Sequence, residues 1–284
     1  MVTKGKQPDG QVDIGHRFVF VCGLHRSGTS PLFQILREHP DISGFRNTKV
    51  PEDEGQHLQT VVPAAKVYGG PGRFGFSPEA HLTEVSACIT SRNRYKLFAE
   101  WSKYWDLSKP LLLEKSPPNL IRTRFLQAMF PDSYFIIITR HPIAVSLATW
   151  KWTGISLESL VRHWLHCHCL FEQDRPYLRR ALVIRYEELI RDSENTLGRT
   201  YNFLGIAAQP LPSLNPAGNE RYFTAWRKLS EHQTMRAIVK HIVAKYERKC
   251  REYGYSLVEI DSTIPSEIRT ALSASTMTGD RGHK

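Results

Sequence analysis

The sequence predicts an α/β fold of three layers, with a mostly parallel central sheet flanked by helices. Three observations predict it. A continuous apolar, β-branched and aromatic run spans Phe18 to Leu24, the mark of a strand buried on both faces. The succession of a short apolar run and a helical stretch then recurs three times along the chain, and alternation of this kind makes right-handed crossovers between parallel strands. Finally, the turn Gly23 to Gly28 joins the first strand to its helix with the glycine spacing of a phosphate-binding loop, which makes the arrangement P-loop-like.

The elements follow in order. After Phe18 to Leu24 comes a helix with Pro31 in its first turn, where a missing N–H costs nothing, and with Leu32, Phe33, Ile35 and Leu36 as its apolar stripe up to His39-Pro40. The stretch Asn47 to Pro78 is rich in Gly and Pro around one short helix, Pro51 to Val61, and suits a loop closing over a site. A second strand, Leu111 to Glu114, precedes a helix opening at Pro117-Pro118; a third, Tyr134 to Thr139, precedes a helix opening at Pro142. A fourth, Leu182 to Arg185, leads into helix through Leu204. Ser156 to Arg180 and Glu231 to Tyr253 read as long helices. The chain is expected to form a single domain over 1–284, with flexible ends at 1–14 and 262–284.

Composition narrows the class. Hydrophobic residues make up 41% and charged residues 23%, both ordinary for a globular chain, and no apolar run reaches membrane-span length. Residues 1–13 are polar and lack the apolar centre of a secretory signal, so a cytoplasmic location is expected. Five cysteines do not make a disulfide framework and read as free thiols. The net charge of +10 favours anionic ligands. Its dispersal, with no arginine-rich arm, points to a nucleotide and not to nucleic acid, and no stable membrane insertion is expected.

The turn between the first strand and its helix carries the first chemistry. Gly23-Leu24-His25-Arg26-Ser27-Gly28-Thr29-Ser30 sits where backbone N–H groups and the helix dipole favour an anion. Thr29 stands where a nucleotide-hydrolysing loop has lysine, so ATP hydrolysis is disfavoured. Arg26 supplies positive charge instead, with hydroxyls from Ser27, Thr29 and Ser30. Arg140 ends a buried strand just before Pro142 opens a helix, so a guanidinium and a helix amino end face one phosphate; a surface ion pair is the alternative. Lys115 ends another buried strand at the carboxyl edge, where open α/β sheets bind ligands, though lysine there can also be a plain solubilising group. In the helix read over Pro51 to Val61, Glu54 and His57 share the face of Leu58 and Val61, whereas Glu52, Asp53 and Gln56 point elsewhere; the acids can also simply complement the dipole. His163, His166, Cys167, His168 and Cys169 offer metal-ligand types, but residues two apart on a helix face away from each other, and no metal is assigned.

The run GLHRSGTSPLFQILREHP resembles the 5′-phosphosulfate-binding loop and first helix of the sulfotransferase superfamily, with His25 where the bacterial and tyrosylprotein branches usually carry proline. Ile136 to Ser146 (IIITRHPIAVS) resembles the family's 3′-phosphate segment; the usual partner serine falls at Ala148 here, and Ser146 is the nearest candidate. Leu113-Glu114-Lys115-Ser116-Pro117 resembles the Lys-x-Pro element of the tyrosylprotein branch, and Arg185 to Leu189 (RYEEL) a late structural element. The resemblance, which covers about Phe18 to Leu204, implies a donor, 3′-phosphoadenosine-5′-phosphosulfate (PAPS), bound by His25, Arg26, Ser27, Gly28, Thr29, Ser30, Arg140 and Ser146; beyond it, Asn219, Tyr222, Trp226, Arg227 and Lys228 are candidates to cover the adenine and 3′-phosphate. It further implies in-line transfer to a hydroxyl or amine of a small-molecule, carbohydrate or lipid acceptor. Glu54 or His57 would serve as base, and Lys115 with Arg26 would stabilise the leaving phosphate, without a metal. A P-loop small-molecule kinase is the alternative, disfavoured by Thr29 and by the lack of a strand-ending aspartate for magnesium. A nucleotide-binding protein without catalysis is a third. No motif encodes the acceptor or the oligomeric state.

Overall fold

Strands β1 (Arg17–Cys22), β2 (Ile42–Gly44), β3 (Leu111–Lys115), β4 (Ser133–Thr139) and β5 (Ala181–Arg185) form one sheet in the order β2-β3-β1-β4-β5, and every neighbouring pair is parallel. These features come from a computed structural model that describes residues 15–210 and 218–261; the ends read as flexible lie outside the described residues. The central strands are buried on both faces, which is why their sequences are continuously apolar and not alternating. β1 occupies the middle, with Val19 between Leu113 of β3 and Tyr134 of β4. The chain leaving β1 runs toward β2, and the chain leaving β4 runs toward β5. Connections that diverge in this way open a crevice at the carboxyl ends of adjacent strands.

Nine helices cover the sheet and its edges among the described residues: α1 (Thr29–Arg37), α2 (Ser91–Trp101), α3 (Thr123–Met129), α4 (Pro142–Thr153), α5 (Leu157–Asp174), α6 (Tyr186–Arg191), α7 (Ser193–Leu204), α8 (Glu220–Glu231) and α9 (Met235–Glu252). Helix α1 packs on β1, β2 and β3, α3 on β4, and α6 and α7 on β5. Helix α4 is buried from Pro142 to Thr149 because α5 and α8 cover it. Its start is fixed twice, by Pro142 at the first helical position and by His141, whose Nδ1 accepts the Ile143 N–H at 3.2 Å. At the foot of the sheet Phe18 stacks on Phe130 with ring centroids 4.2 Å apart, and Phe45 stacks on Trp105 at 4.9 Å. Each such buried ring contributes roughly 1.5–3 kcal/mol, and Trp101 joins this cluster edge-on against Trp105.

Several expectations change. The helix read over Pro51 to Val61 is instead two single turns of 3₁₀ helix, Pro51–Asp53 and Gly55–His57, with Glu54 extended between them. The reason is local: the Asp53 carboxylate accepts hydrogen bonds from the backbone N–H and hydroxyl of Thr48 and pairs with Arg37, which holds Glu52 and Asp53 at φ 54° and 50°. The helix expected at Pro117 begins with a 3₁₀ turn, Pro117–Ile121, and becomes α only at Thr123. The stretch Ser156 to Arg180 ends as helix at Asp174, one residue before Arg175-Pro176. Strand β2, with three residues, and helix α2 were not anticipated. No helix among the described residues is long and apolar enough to cross a membrane.

Candidate active site

A cavity of about 960 Å³ opens at the carboxyl edge of the sheet. The β1–α1 loop forms one wall with His25, Arg26, Gly28, Thr29 and Ser30, all predicted site residues. Arg26 sits at φ 69° and Gly28 at φ 96°, so the chain coils tightly into α1. A Cβ on Gly28 would lie 2.4 Å from the Tyr186 ring, so no larger residue fits. The first turn of α1 leaves backbone N–H groups without helical acceptors where Thr29 and Ser30 line the cavity. Ser27 is different: it is fully buried, its Oγ has no partner among the described residues, and it does not line the cavity.

Arg140, the residue after β4, lines the cavity, its guanidinium carbon 4.1 Å from the centre of the Tyr186 ring. Its guanidinium donates to Arg26 O at 2.9 Å, Asn219 Oδ1 at 2.7 Å and Gly218 O at 2.5 Å, which joins the β1–α1 loop to the start of α8. Beside it on α4, Ala148, Lys151 and Trp152 share one face and line the cavity, as the spacing of three and four residues requires. Ser146 is on the opposite side of α4. Its Oγ is buried without a partner among the described residues, in a small enclosed space shared with His25, Thr149 and His163. Tyr222 and Arg221 line the main cavity, with Arg221 donating to the Tyr222 hydroxyl at 2.7 Å. Arg227 lies elsewhere, in a separate hollow of about 810 Å³ between α8, α9 and residues 257–261, paired with Asp261; Lys228 is exposed and lines neither cavity. Asn219 serves Arg140 and donates to Glu187 at 2.7 Å, and Trp226 is buried with its N–H on Leu257 O.

At the other end of the cavity stand Glu54 and His57. Glu54, 7% exposed, accepts from Lys115 Nζ at 3.1 Å and from Gln56 Nε2 at 2.5 Å, and His57 Nε2 lies 3.8 Å from it. Lys115 is fully buried behind this wall, its Nζ also 3.3 Å from the Ser30 hydroxyl. The predicted base, the predicted lysine and the phosphate loop therefore meet, although Glu54 and His57 reach one another across a 3₁₀ turn and not along an α-helix. Gln56, expected to point away, is a direct partner of Glu54. Burial holds His57 below the usual imidazole range, with the Glu54 charge opposing. Burial, helped by the charges of Lys115, His57 and Arg26, lowers His25 to about 3, so this imidazole is neutral at physiological pH. Neighbouring Glu114 is fully buried and is pushed up to about 7, chiefly by burial.

Sequence reasoning missed Lys66, Lys151, Arg221, Trp152 and Tyr186 as cavity residues. The three cations form no ion pair among the described residues. Only the one-turn spacing from Ala148 could have pointed to Lys151 and Trp152. In the cluster set aside as a metal site, His163 Nε2 accepts the Gly75 N–H at 3.1 Å with Cys167 Sγ 3.5 Å away, and no group of three ligand-type side chains gathers among the described residues.

Comparison with known proteins gives consistent results. A family model described as "Sulfotransferase family" matches residues 19–210. Nodulation protein NoeE of Sinorhizobium fredii (strain NBRC 101917 / NGR234) is 26% identical over 148 residues, covering 49% of this chain and 32% of that protein; the match thus spans about a third of the relative's length. Among solved structures, a sulfotransferase from Alicyclobacillus acidocaldarius is 18% identical with a TM-score of 0.46, covering 76% of this chain and 93% of the other. Sulfotransferase STF1 from Mycobacterium tuberculosis H37Rv is 16% identical with a TM-score of 0.46, covering 74% and 71%.

Proposed function

The chain belongs to the sulfotransferase family, and from that premise we propose that it transfers the sulfuryl group of PAPS to a hydroxyl or amine of a small-molecule, carbohydrate or lipid acceptor. One observation carries the reading: the Lys115 ammonium lies within 3.3 Å of both Glu54 and Ser30, so a cation, a carboxylate and the phosphate-binding turn meet at one wall of the cavity.

The donor's 5′-phosphosulfate would lie on the β1–α1 loop, where orphan N–H groups of α1 and Arg26 meet its charge. Its 3′-phosphate would face Arg140, with Lys151 and Arg221 adding positive charge where Ala148 offers no hydroxyl and Tyr222 bordering the nucleoside. Glu54 takes the acceptor's proton as the acceptor oxygen or nitrogen bonds to sulfur. The bond from sulfur to the bridging phosphate oxygen breaks with its electron pair, leaving adenosine 3′,5′-bisphosphate. Lys115 meets the charge that grows on that oxygen, a contact stronger in the transition state than before it. His57, beside Glu54, is the second candidate base. Free thiols at Cys22, Cys88, Cys167, Cys169 and Cys250 suit the reducing cytoplasm in which we place the protein.

The test has two arms. Calorimetry should show adenosine 3′,5′-bisphosphate binding at least about tenfold more tightly than AMP, since a charge-assisted phosphate contact contributes roughly 1.5–3 kcal/mol. A screen of acceptors with labelled PAPS should then yield a sulfated product. Equal affinity for the two nucleotides removes the donor from this reading.

A further inference from the structure

We propose that Glu114, acting through Ser116, is the positioning residue that holds the Glu54 carboxylate in its working place. The inference rests on the reading of Glu54 as base. Glu114 and Lys115 are consecutive on β3, so their side chains leave opposite faces of the sheet. Lys115 turns to α1 and the cavity. Glu114 turns into the interior beneath the base segment, where it touches no acceptor and plays no part in the transfer itself.

A fully buried carboxyl is costly unless its oxygens are satisfied, and here they are, by two short bonds. The Ser116 hydroxyl donates to Oε1 at 2.5 Å, and Asn119 Nδ2 donates to Oε2 at 2.5 Å. This choice of partner fixes the polarity of Ser116. A serine hydroxyl has one proton, which goes to Glu114, and its oxygen accepts the backbone N–H of Gln56 at 2.8 Å, so the bond to Glu114 fixes where that oxygen stands for Gln56. Gln56 is then clamped at its other end too: its Oε1 accepts the Ala65 N–H at 2.8 Å while its Nε2 donates to Glu54 Oε2. The remaining Glu54 oxygen is thereby presented to Lys115.

Shape reinforces the relay. The backbone of Gly55 lies directly on the Glu114 carboxyl, so that an added Cβ would sit 2.4 Å from Oε1. Trp101 Nε1 holds Gly55 O from the far side at 2.9 Å. The segment from 54 to 56 contains no α-helix or strand of its own, so these contacts are what order it.

The experiment compares Ser116→Ala, Ser116→Thr and Glu114→Gln in the full chain, at a pH above 7 where the Glu114 carboxyl is ionised, using the acceptor found by the screen. Ser116→Ala should lower kcat on the order of 10²-fold, because a base displaced by about 1 Å loses that much. Its KM for PAPS should stay within about twofold of the parent. Ser116→Thr, which keeps the hydroxyl at a backbone position already extended, should recover most of the rate. Glu114→Gln should also lower kcat, since its amide offers a donor where Ser116 or Asn119 already donates. A Ser116→Ala enzyme with parental kcat overturns the proposal, and so does a rise in the KM for PAPS that matches the loss in rate. Hydrogen exchange of the Gln56 amide is read in parallel and needs no acceptor. It should speed up at least about tenfold in Ser116→Ala and remain slow in Ser116→Thr. Unchanged exchange overturns the proposal, whereas a parent protein that sulfates no acceptor sinks only the sulfotransfer reading.

Discussion

The loop after β1 and the segment around Glu54 face each other across the same cavity and are held in opposite ways. The β1–α1 loop is short and locally bonded: Ser27 N–H reaches Leu24 O at 3.0 Å, and Leu32 N–H reaches Gly28 O at 3.3 Å. Its two glycines let it press on neighbouring elements, Gly23 against Ile138 O and Gly28 against Tyr186. The Glu54 segment is instead suspended from distant groups. Trp101 holds Gly55, Ser116 holds Gln56, Glu100 holds Thr60, and Arg122 holds Pro63 O and Ala80 O. A pattern of adjacent residues writes the first loop; side chains scattered over later parts of the chain write the second.

Substitutions at the two ends of the cavity sharpen this contrast. The largest effect belongs to the suspended side. Glu54→Gln should cost on the order of 10²–10⁴-fold in kcat with binding of adenosine 3′,5′-bisphosphate intact, because the amide keeps the shape but cannot take a proton. His57→Ala should leave most of the rate. If the losses are reversed, the base is His57.

Acid should act next, through buried neutral histidines that lie mostly outside the base segment. His25, His141 and His163 are lowered to about 3 and His168 to about 4, each chiefly by burial. Below the ordinary imidazole value of about 6.5 the unfolded chain takes up protons that the fold refuses, so each contributes stability that is lost as pH falls. Glu114 works the other way. Raised to about 7, it keeps its proton where the unfolded carboxyl has ionised, so its contribution falls as pH rises from about 4.5 to 7. Four groups against one give a net loss of stability on acidification between about pH 6.5 and 4.5. Thermal unfolding followed across that range measures it, and a midpoint that holds steady or rises toward pH 5 contradicts it. His163→Asn should flatten the curve, since this ring accepts the Gly75 N–H only while neutral.

The smallest effect separates two arginines on α8. Arg221→Ala should weaken adenosine 3′,5′-bisphosphate binding about tenfold, whereas Arg227→Ala should leave it unchanged because its partner is Asp261 in the other hollow. Comparable losses from both would move the nucleotide toward the second hollow.

The same contrast explains what could be read from the sequence. Phe18 to Leu24, Ile136 to Thr139 and the glycine-spaced turn announce themselves, because a doubly buried strand and a coiled loop each demand particular residue types in a row. Lys115 and Arg140 were legible for the same reason, since each stands at the end of such a strand. Glu54 and His57 were found through an assumed helix that does not exist; they converge because one 3₁₀ turn also brings residues three apart together. The partnership of Gln56 with Ser116 and Glu114 left no trace, for it spans 60 residues of chain and no periodicity records it. Strand β2 was missed because three residues, Ile42 to Gly44, are too few to show a pattern. Arg227 and Lys228 were grouped with Asn219, Tyr222 and Trp226 by nearness in sequence, and nearness does not say which side of an amphipathic helix a residue occupies.

The central place of β1 also sets how the molecule must come into being. Val19 finds its partners only at Leu113 and Tyr134, so a strongly apolar strand is made first and must wait for β3 and β4 before either of its edges is paired. Such distant pairing gives a high contact order, and the chain must close long loops before any ladder of hydrogen bonds rewards it. During synthesis RFVFVC leaves the ribosome with both edges bare, well before β3 and β4 exist to cover them. Slow folding, and a need for protection during that interval, follow from the strand order alone.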